Sequence, residues 1–259
     1  MKVVSYNILE GMKLDKDNNY DNFVAWVSEQ APDILAIEET NGFTKETLTA
    51  LANRWGHSHA EICKETGYPV SLTSKYPIEV ISRIRKGVSH GGIHAQIKGI
   101  NILVLHLYPQ SYAPSGSTAA NGDAYRLEEI QTYLDNTVRK YPDEKYWLMM
   151  GDFNSASPLD KNDLASGSNI NYQVHQTILD SGYRDPIREM NVNFVRSCPT
   201  VYGGWTGPTG SYKGSRIDFI YASGEAMRNM LNAQILMDDF TDNYSDHYPV
   251  TVTCRIYNK

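Results

Sequence analysis

The stretch WLMMGDFN, residues 147–154, carries an apolar run directly into a pair of polar residues. The run over residues 147–150 predicts a buried strand, since a short continuous apolar run that ends at a glycine is typical of one. Asp152 and Asn154 follow at the end of that strand. Taken alone, a carboxylate at a strand end is typical of a turn residue or a helix cap. The pattern becomes informative because the chain repeats it.

Five further apolar segments also place polar residues at or near a strand end. They are Asn7 after residues 3–6, Glu38 with Glu39 after 34–37, His106 within 102–107, Asp218 within 216–220, and Asp246 with His247 before 248–252. Asp218 is the hardest to explain as an ordinary structural residue, because an unpaired charge buried in an apolar strand is strongly destabilising. It needs a cationic or hydrogen-bonding partner, and His247 is the natural candidate.

If these strand ends share one edge, four carboxylates converge there: Glu39, Asp152, Asp218 and Asp246. Ionised carboxylates repel one another unless a counter-charge lies between them. A hard divalent cation with oxygen ligands, Mg²⁺ or Mn²⁺, meets that need. Zinc is disfavoured because no Cys/His cluster supplies soft ligands.

Helical and strand patterns interleave along the chain, and adjacent strand patterns indicate hairpins as well. We expect an α/β (α+β) fold with mixed sheets covered by helices, in a single domain over residues 1–259. The longest predicted helix covers residues 123–140, with Leu127, Ile130, Leu134 and Val138 facing inward. The net charge of −6 disfavours a protein that grips nucleic acid mainly through a basic surface.

Seven motifs, in order along the whole chain, resemble those of the endonuclease/exonuclease/phosphatase superfamily, which has the deoxyribonuclease-I-like fold. They are SYNI (5–8), PDILAIEE (32–39), SKYPI (74–78), LHL (105–107), GDFN (151–154), RIDFI (216–220) and SDHYPV (245–250). No single motif is decisive, but together they cover the chain in the order of the family. The resemblance implies a four-layer sandwich, with two mixed β-sheets packed face to face and helices on the outer sides.

The resemblance also implies a metal site. Glu39 is expected to hold the Mg²⁺ or Mn²⁺ ion, with Asn7 and Asp246 near it or bridging through water. The family commonly has Gln-Glu where this chain has Glu38-Glu39. An extra carboxylate beside the site is therefore expected to change its affinity for metal.

The catalytic roles follow from the same resemblance. His247 is expected to act as general base on the attacking water, with Asp218 fixing its tautomer. Asp152 and Asn154 are expected to position that water and the phosphate. His106 is expected to donate a hydrogen bond to a non-bridging phosphoryl oxygen, where charge develops in the transition state.

Three residues are candidates for substrate contact. Tyr108 follows His106 closely, Trp205 lies in the glycine-rich loop of residues 202–215, and Arg126 is near the start of the longest predicted helix. The simpler interpretation is ordinary loop packing for Tyr108 and Trp205, and a solvated helix face for Arg126.

The first hypothesis is a metal-dependent phosphoesterase whose substrate is nucleic acid, a phospholipid or phosphoinositide head group, or a sugar phosphate. The alternative is a non-catalytic nucleic-acid-binding module on the same fold, which the presence of every expected catalytic residue disfavours. We expect a monomer without stable membrane insertion, since no apolar run is long enough to span a bilayer. The sequence is compatible with a cytoplasmic protein and with a secreted one whose export signal has been removed.

Overall fold

The computed structural model describes residues 1–164 and 169–255, and in these ranges apolar strands build two sheets of six strands each. The first sheet, in spatial order, contains β11 (Met230–Ile235), β12 (Val250–Cys254), β1 (Lys2–Asn7), β2 (Ile34–Glu38), β4 (Ser71–Ser74) and β3 (His59–Ile62). The second contains β5 (Glu79–Ile84), β6 (Gly92–Ile97), β7 (Ile100–His106), β8 (Trp147–Asp152), β10 (Asp218–Ser223) and β9 (Tyr183–Arg184).

The helices of the described ranges are mostly short. They are α1 (Leu9–Met12), α2 (Asp21–Gln30), α3 (Lys45–Asn53), α4 (Gly122–Asn136), α5 (Gln173–Asp180), α6 (Pro186–Met190), α7 (Gly224–Met227) and α8 (Asp239–Tyr244), with 3₁₀ turns at Lys16–Asn18 and Pro158–Asp160. In this part of the chain, no helix has both the length and the apolar character needed to cross a membrane.

Three apolar cores separate four layers. One core lies between the two sheets, one between the first sheet and the pair α2 and α3, and one between the second sheet and the pair α4 and α5. Successive side chains of a strand point to opposite faces. Val3 therefore joins the core between the sheets, whereas Val4 packs beneath α2 and α3.

Both sheets are mixed. The pairs β1–β2 and β7–β8 are parallel, and the other pairs are antiparallel. The predicted α/β four-layer sandwich, with two mixed sheets face to face and helices outside, is confirmed.

The strand register brings the polar residues to one edge of the molecule. In the second sheet His106 is opposite Asp152, and Asp152 is opposite Asp218, so the three occupy one row across β7, β8 and β10. In the first sheet Asn7 is opposite Glu38 at the end of the parallel pair.

The predicted helix over residues 123–140 is shorter in the structure and turned differently. It ends at Asn136, because Thr137 leaves the helical conformation with φ −127° and ψ −103°. Of the predicted inward residues Ile130 and Leu134 are buried, and Leu127 and Val138 are only partly buried. The inward face also carries the charged residues Arg126 and Glu129.

Candidate active site

His247 and Asp218 form a buried, hydrogen-bonded pair at the base of the candidate site. Nδ1 of His247 donates to Oδ2 of Asp218 over 2.9 Å. The hydroxyl of Ser197 donates to the same carboxylate oxygen over 2.7 Å, and accepts in turn from the backbone N–H of Asp218. With Nδ1 engaged in this way, Nε2 of His247 faces Asp152, whose Oδ2 is 3.8 Å away.

Ser197 was not among the residues predicted from the sequence. It lies in an irregular segment that carries no recognisable motif. The only signal that pointed to it was Asp218 itself, because a buried carboxylate requires several hydrogen-bond donors.

Asp152 is the residue on which the other side chains of the site converge. Its Oδ1 accepts from the backbone N–H of Asn154 over 2.8 Å. Its Oδ2 accepts from Nδ2 of Asn7 over 3.1 Å and lies 3.6 Å from Nε2 of His106. Residues of both sheets and of the last loop therefore meet at one buried carboxylate.

Asn154 holds the segment that follows Asp152. Its backbone has a φ of 46°, in the left-handed region that asparagine tolerates better than most residues. Its side-chain Nδ2 donates to the carbonyl of Leu107, just beyond β7, over 3.0 Å. Asn154 thereby connects the ends of β7 and β8.

Glu39 and Asn7 form the first-sheet side of the site. Nδ2 of Asn7 lies 3.3 Å from Oε1 of Glu39, and the backbone N–H of Glu10 donates to Oε2 of Glu39 over 2.9 Å. Oδ1 of Asn7 accepts from the backbone N–H of Leu9 over 3.1 Å. Two consecutive amides of α1 thus orient both side chains.

The backbone of α1 is left-handed. Leu9, Glu10 and Met12 have φ values of 52°, 50° and 55°, and Glu39 has a φ of 62°. Each such residue costs roughly 1–2 kcal/mol relative to a right-handed conformation. Position 11, at φ 77°, requires glycine, because the Cβ of any other residue there would lie 2.2 Å from the carbonyl oxygen of Asn41.

Burial and charge shift the pKa values of His247, Asp152 and His106. Burial would lower the pKa of His247, but the carboxylates of Asp218 and Asp152 outweigh it and hold that pKa well above its ordinary value. Burial raises the pKa of Asp152 to about 7, although the charge of His247 opposes the shift. Burial, together with His90, lowers the pKa of His106 well below its ordinary value, so this imidazole is neutral.

Glu38 lies beneath the site and is almost completely buried. Its Oε1 accepts from the hydroxyl of Ser5 over 3.0 Å, while Oε2 has no hydrogen-bond partner in the described ranges. Burial, and secondarily the charge of Asp218, raises the pKa of Glu38 well above its ordinary value. Burial therefore disfavours a negative charge on Glu38, the extra carboxylate next to Glu39.

Asp246 is half-buried beside His247, and its backbone carbonyl accepts from the N–H of Thr200 over 3.2 Å. Burial raises the pKa of Glu39, and the charge of Asp246 adds to that shift. The two carboxylates are therefore close enough to interact electrostatically.

Two groups of side chains offer metal ligands. Asp152, Asp218 and His247 present ligand atoms that all lie within 4.8 Å of one another, and this buried group could hold a metal ion. Glu39, Asn7 and Asp246, the residues predicted for this role, lie on the first-sheet side and present only oxygen ligands and an amide.

Contact of Tyr108, Arg126 and Trp205 with substrate stays a prediction. Across residues 1–164 and 169–255, Tyr108, Arg126 and Trp205 make neither hydrogen bonds nor ion pairs with the cluster around Asp152. The ring of Trp205 packs under the guanidinium of Arg196, 4.0 Å away. The interpretation of Arg126 as part of a solvated helix face is wrong, because its guanidinium is buried against the carbonyls of Tyr108 and Gln110.

Comparison with solved structures finds the same fold in nucleic-acid enzymes. An AP endonuclease from Archaeoglobus fulgidus matches with a TM-score of 0.72 and 20% identity, over 98% of this chain and 99% of that one. The 3′-phosphatase NExo from Neisseria, bound to a product DNA hairpin, matches with a TM-score of 0.72 and 17% identity over the same shares. The 3′–5′ exonuclease NExo from Neisseria meningitidis matches with a TM-score of 0.70 and 17% identity, again over 98% and 99%.

Comparison with curated proteins gives no match. A family model does match, over residues 4–247, a span that includes every residue of the site described above. Members of that family hydrolyse phosphate esters and typically depend on a divalent metal ion. The chain belongs to the Endonuclease/Exonuclease/phosphatase family and is a hydrolase of that class.

Proposed function

We propose that this chain is a divalent-metal-dependent phosphoesterase, in which water attacks phosphorus and His247 accepts the proton of that water. One observation carries the proposal: the His247–Asp218 pair faces Asp152 at the same edge where Asn7 and Glu39 lie. Such a reaction needs a positioned proton acceptor and groups that stabilise developing negative charge. The cluster offers both within a few ångströms.

The proton acceptor is Nε2 of His247. Asp218 holds the proton on Nδ1, which is the tautomer that leaves Nε2 able to accept. Once Nε2 is protonated, the carboxylates of Asp218 and Asp152 stabilise the imidazolium, as the raised pKa of His247 indicates. Asp152 also offers an oxygen close to Nε2 that can orient the attacking water.

Two neutral groups complete the phosphate side. The imidazole of His106 is neutral and buried, and its Nε2 faces Asp152 across 3.6 Å. The neutral imidazole of His106 can donate a hydrogen bond from Nε2 to a phosphoryl oxygen, where negative charge develops in the transition state. Asn154 keeps the Asp152 segment attached to the end of β7 and so maintains the spacing between His106 and Asp152.

The metal ion would be held by Glu39, with Asn7 and Asp246. Oxygen ligands of this kind suit Mg²⁺ or Mn²⁺. The group of Asp152, Asp218 and His247 fits a cation less well, because a histidine ligand must be deprotonated and its neighbours hold the pKa of His247 well above the ordinary value. When bound, the ion would neutralise phosphoryl oxygens and polarise the phosphorus.

The test is a panel of phosphate esters assayed with Mg²⁺ or Mn²⁺. It contains single- and double-stranded DNA with and without a 3′-phosphate, RNA, phosphoinositides, sphingomyelin and sugar phosphates. We expect hydrolysis of at least one class, its loss in EDTA, and its loss in His247→Ala. His59→Ala, a histidine of β3 outside the site, is the matched control and should retain activity.

The panel also separates the alternatives. Hydrolysis confined to lipid head groups would assign the chain to phospholipid or phosphoinositide substrates. Nucleic-acid binding without any turnover would favour a non-catalytic module, and full turnover in EDTA would contradict the metal dependence.

A further inference from the structure

The buried face of α4 carries two charged residues, Arg126 and Glu129. Glu129 is completely inaccessible and Arg126 is 6% exposed. Neither makes a hydrogen bond or ion pair with the catalytic cluster, in the parts of the chain that the structure covers. Burying such groups is costly unless they are fully bonded, so their bonding partners indicate what they do.

Glu129 bridges the open end of a β-ladder. The strand pairing of β6 with β7 ends at Gly92 and Leu105, and the segments beyond those residues are no longer paired. There Oε1 of Glu129 accepts from the backbone N–H and the hydroxyl of Ser89, each over 2.7 Å. Its Oε2 accepts from the N–H of Tyr108 over 2.8 Å. The carboxylate of Glu129 thus connects the two segments where backbone hydrogen bonds between the strands have ended.

Arg126 fixes the same segment from the carbonyl side. Its Nη1 donates to the carbonyls of Tyr108 and Gln110, over 2.8 and 3.1 Å. The peptide groups of Tyr108 are therefore bonded through both N–H and C=O to one helix. This clamp consists of Glu129 and Arg126, with Ser89 and Tyr108 as the clamped residues.

The clamped residues flank two histidines whose rings pack against each other at a tilt. His90 directly follows Ser89, and His106 precedes Tyr108 by two positions. Their rings lie 4.1 Å apart between centroids, at an angle of 37°. Within residues 1–164 and 169–255, Nδ1 of His106 is buried without a hydrogen-bond partner. Because no hydrogen bond to Nδ1 orients the ring of His106, its direction depends on its packing against His90 and on the backbone at either side.

We propose that Glu129 is a positioning residue for His106: it joins the segments before His90 and after His106, and so aims Nε2 of His106 at the phosphate position beside Asp152. This proposal rests on the proposed function of the site. It explains why two charged side chains are buried beside the segment that carries His106. Loss of the clamp misdirects one donor, and such misplacement costs about tenfold to a hundredfold in rate.

The first experiment compares Glu129→Gln with Asp135→Asn. Glutamine can accept from Ser89, but its NH₂ then faces the N–H of Tyr108, so one half of the clamp is lost. Asp135 lies on the same helix in an exposed pair with Arg139 and serves as the control. We expect Glu129→Gln to lower kcat about tenfold with KM unchanged, and Asp135→Asn to change neither. Ser89→Ala, which removes one donor, should act in the same direction more weakly and covers the case in which Glu129→Gln does not fold.

The second experiment asks whether Glu129 acts through His106. In a His106→Ala background, Glu129→Gln should have no further effect on kcat, because its target is gone. An unchanged kcat in Glu129→Gln, or the same loss in both backgrounds, would overturn the proposal.

A third readout does not depend on turnover. Histidine ring NMR signals of His90 and His106 should shift in Glu129→Gln, whereas those of His57 and His175 should not. Unshifted signals would overturn the proposal even if no substrate is found, and shifted signals with an inactive wild type would count against the proposed function alone.

Discussion

The two sides of the site are built by opposite means. The ladder half consists of His106, Asp152 and Asp218, which lie in one row of regular strand pairing and are buried. The turn half consists of Asn7, Glu39 and residues 9–12, in which left-handed backbone supplies the orienting amides. Regular strand register sets the spacing of the ladder-half side chains without backbone strain. In the turn half, strained left-handed backbone directs an amide at the carboxylate of Glu39 and so orients it. We propose that proton transfer belongs to the ladder half, whose Asp218 and Asp152 face His247, and metal binding to the turn half.

The largest effect is expected in the ladder half. Asp152→Asn keeps the shape of the side chain but removes the charge that faces His247 and His106, so kcat/KM should fall by about a thousandfold or more. Steady-state kinetics at saturating Mg²⁺ measures the loss, and circular dichroism checks the fold. Wild-type-like turnover would remove Asp152 from the scheme.

The turn half should fail in a different way. Glu39→Gln is expected to raise the Mg²⁺ concentration needed for half-maximal activity by about ten- to a hundredfold, with partial recovery at high Mg²⁺. Isothermal titration of the metal provides a second readout. If excess metal rescues Asp152→Asn as well as it rescues Glu39→Gln, the division of labour between the two halves is wrong.

The pH dependence of kcat/KM sharpens the assignment of the base. Asp218 and Asp152 hold the pKa of His247 well above its ordinary value of 6.5, and a base must be unprotonated before it acts. The rate should therefore rise with pH, with a midpoint above 6.5, and the midpoint should move down in Asp218→Asn because one stabilising charge is gone. A rate that falls over that range would make His247 a general acid.

The left-handed turn can be tested by a pair of glycine exchanges. Gly11→Ala brings a Cβ to 2.2 Å from the carbonyl of Asn41 and should cost about 1–3 kcal/mol of stability and weaken metal binding. Glu10→Gly keeps the N–H that bonds Glu39 and removes left-handed strain, so it should gain about 1 kcal/mol. Denaturant unfolding measures both. Equal losses of unfolding free energy in the two variants would show that the left-handed backbone conformation does not limit stability at this turn.

The smallest effect concerns the buried acid between the halves. The folded protein raises the pKa of Glu38, so at pH above about 4.5 ionisation favours the unfolded chain. Glu38→Gln removes this penalty and should stabilise the fold by about 1 kcal/mol, or a Tm rise of about 2–4 °C, at pH 8. The gain should shrink towards pH 5. A loss of stability at pH 8 would mean that Glu38 is ionised and bonded.

The ladder half was largely predictable from the sequence. Apolar runs in the sequence mark the strands and their ends. A charge inside such a run, as at Asp218, requires a partner, and this requirement indicated His247. In the turn half, Asn7 and Glu39 were predicted from the sequence, but the left-handed backbone of residues 9–12 was not.

Ser197 and Glu129 could not be predicted, for different reasons. Ser197 reaches Asp218 from a loop that only the tertiary fold brings near. Glu129 sits in a helix whose polar residues predict a solvated face, and only the docking of that helix on the β6–β7 ladder reveals it as buried. Side-chain environments set by packing between distant segments leave no local pattern.

The placement of β1 between β2 and β12 has a consequence for how activity returns after denaturation. β1 bonds on one side to a strand about thirty residues later and on the other to one near residue 250, and closing so long a loop is entropically slow. His247 precedes that last strand. During refolding, recovery of hydrolysis should therefore lag behind the formation of secondary structure, and enzyme assay would report the final step of assembly.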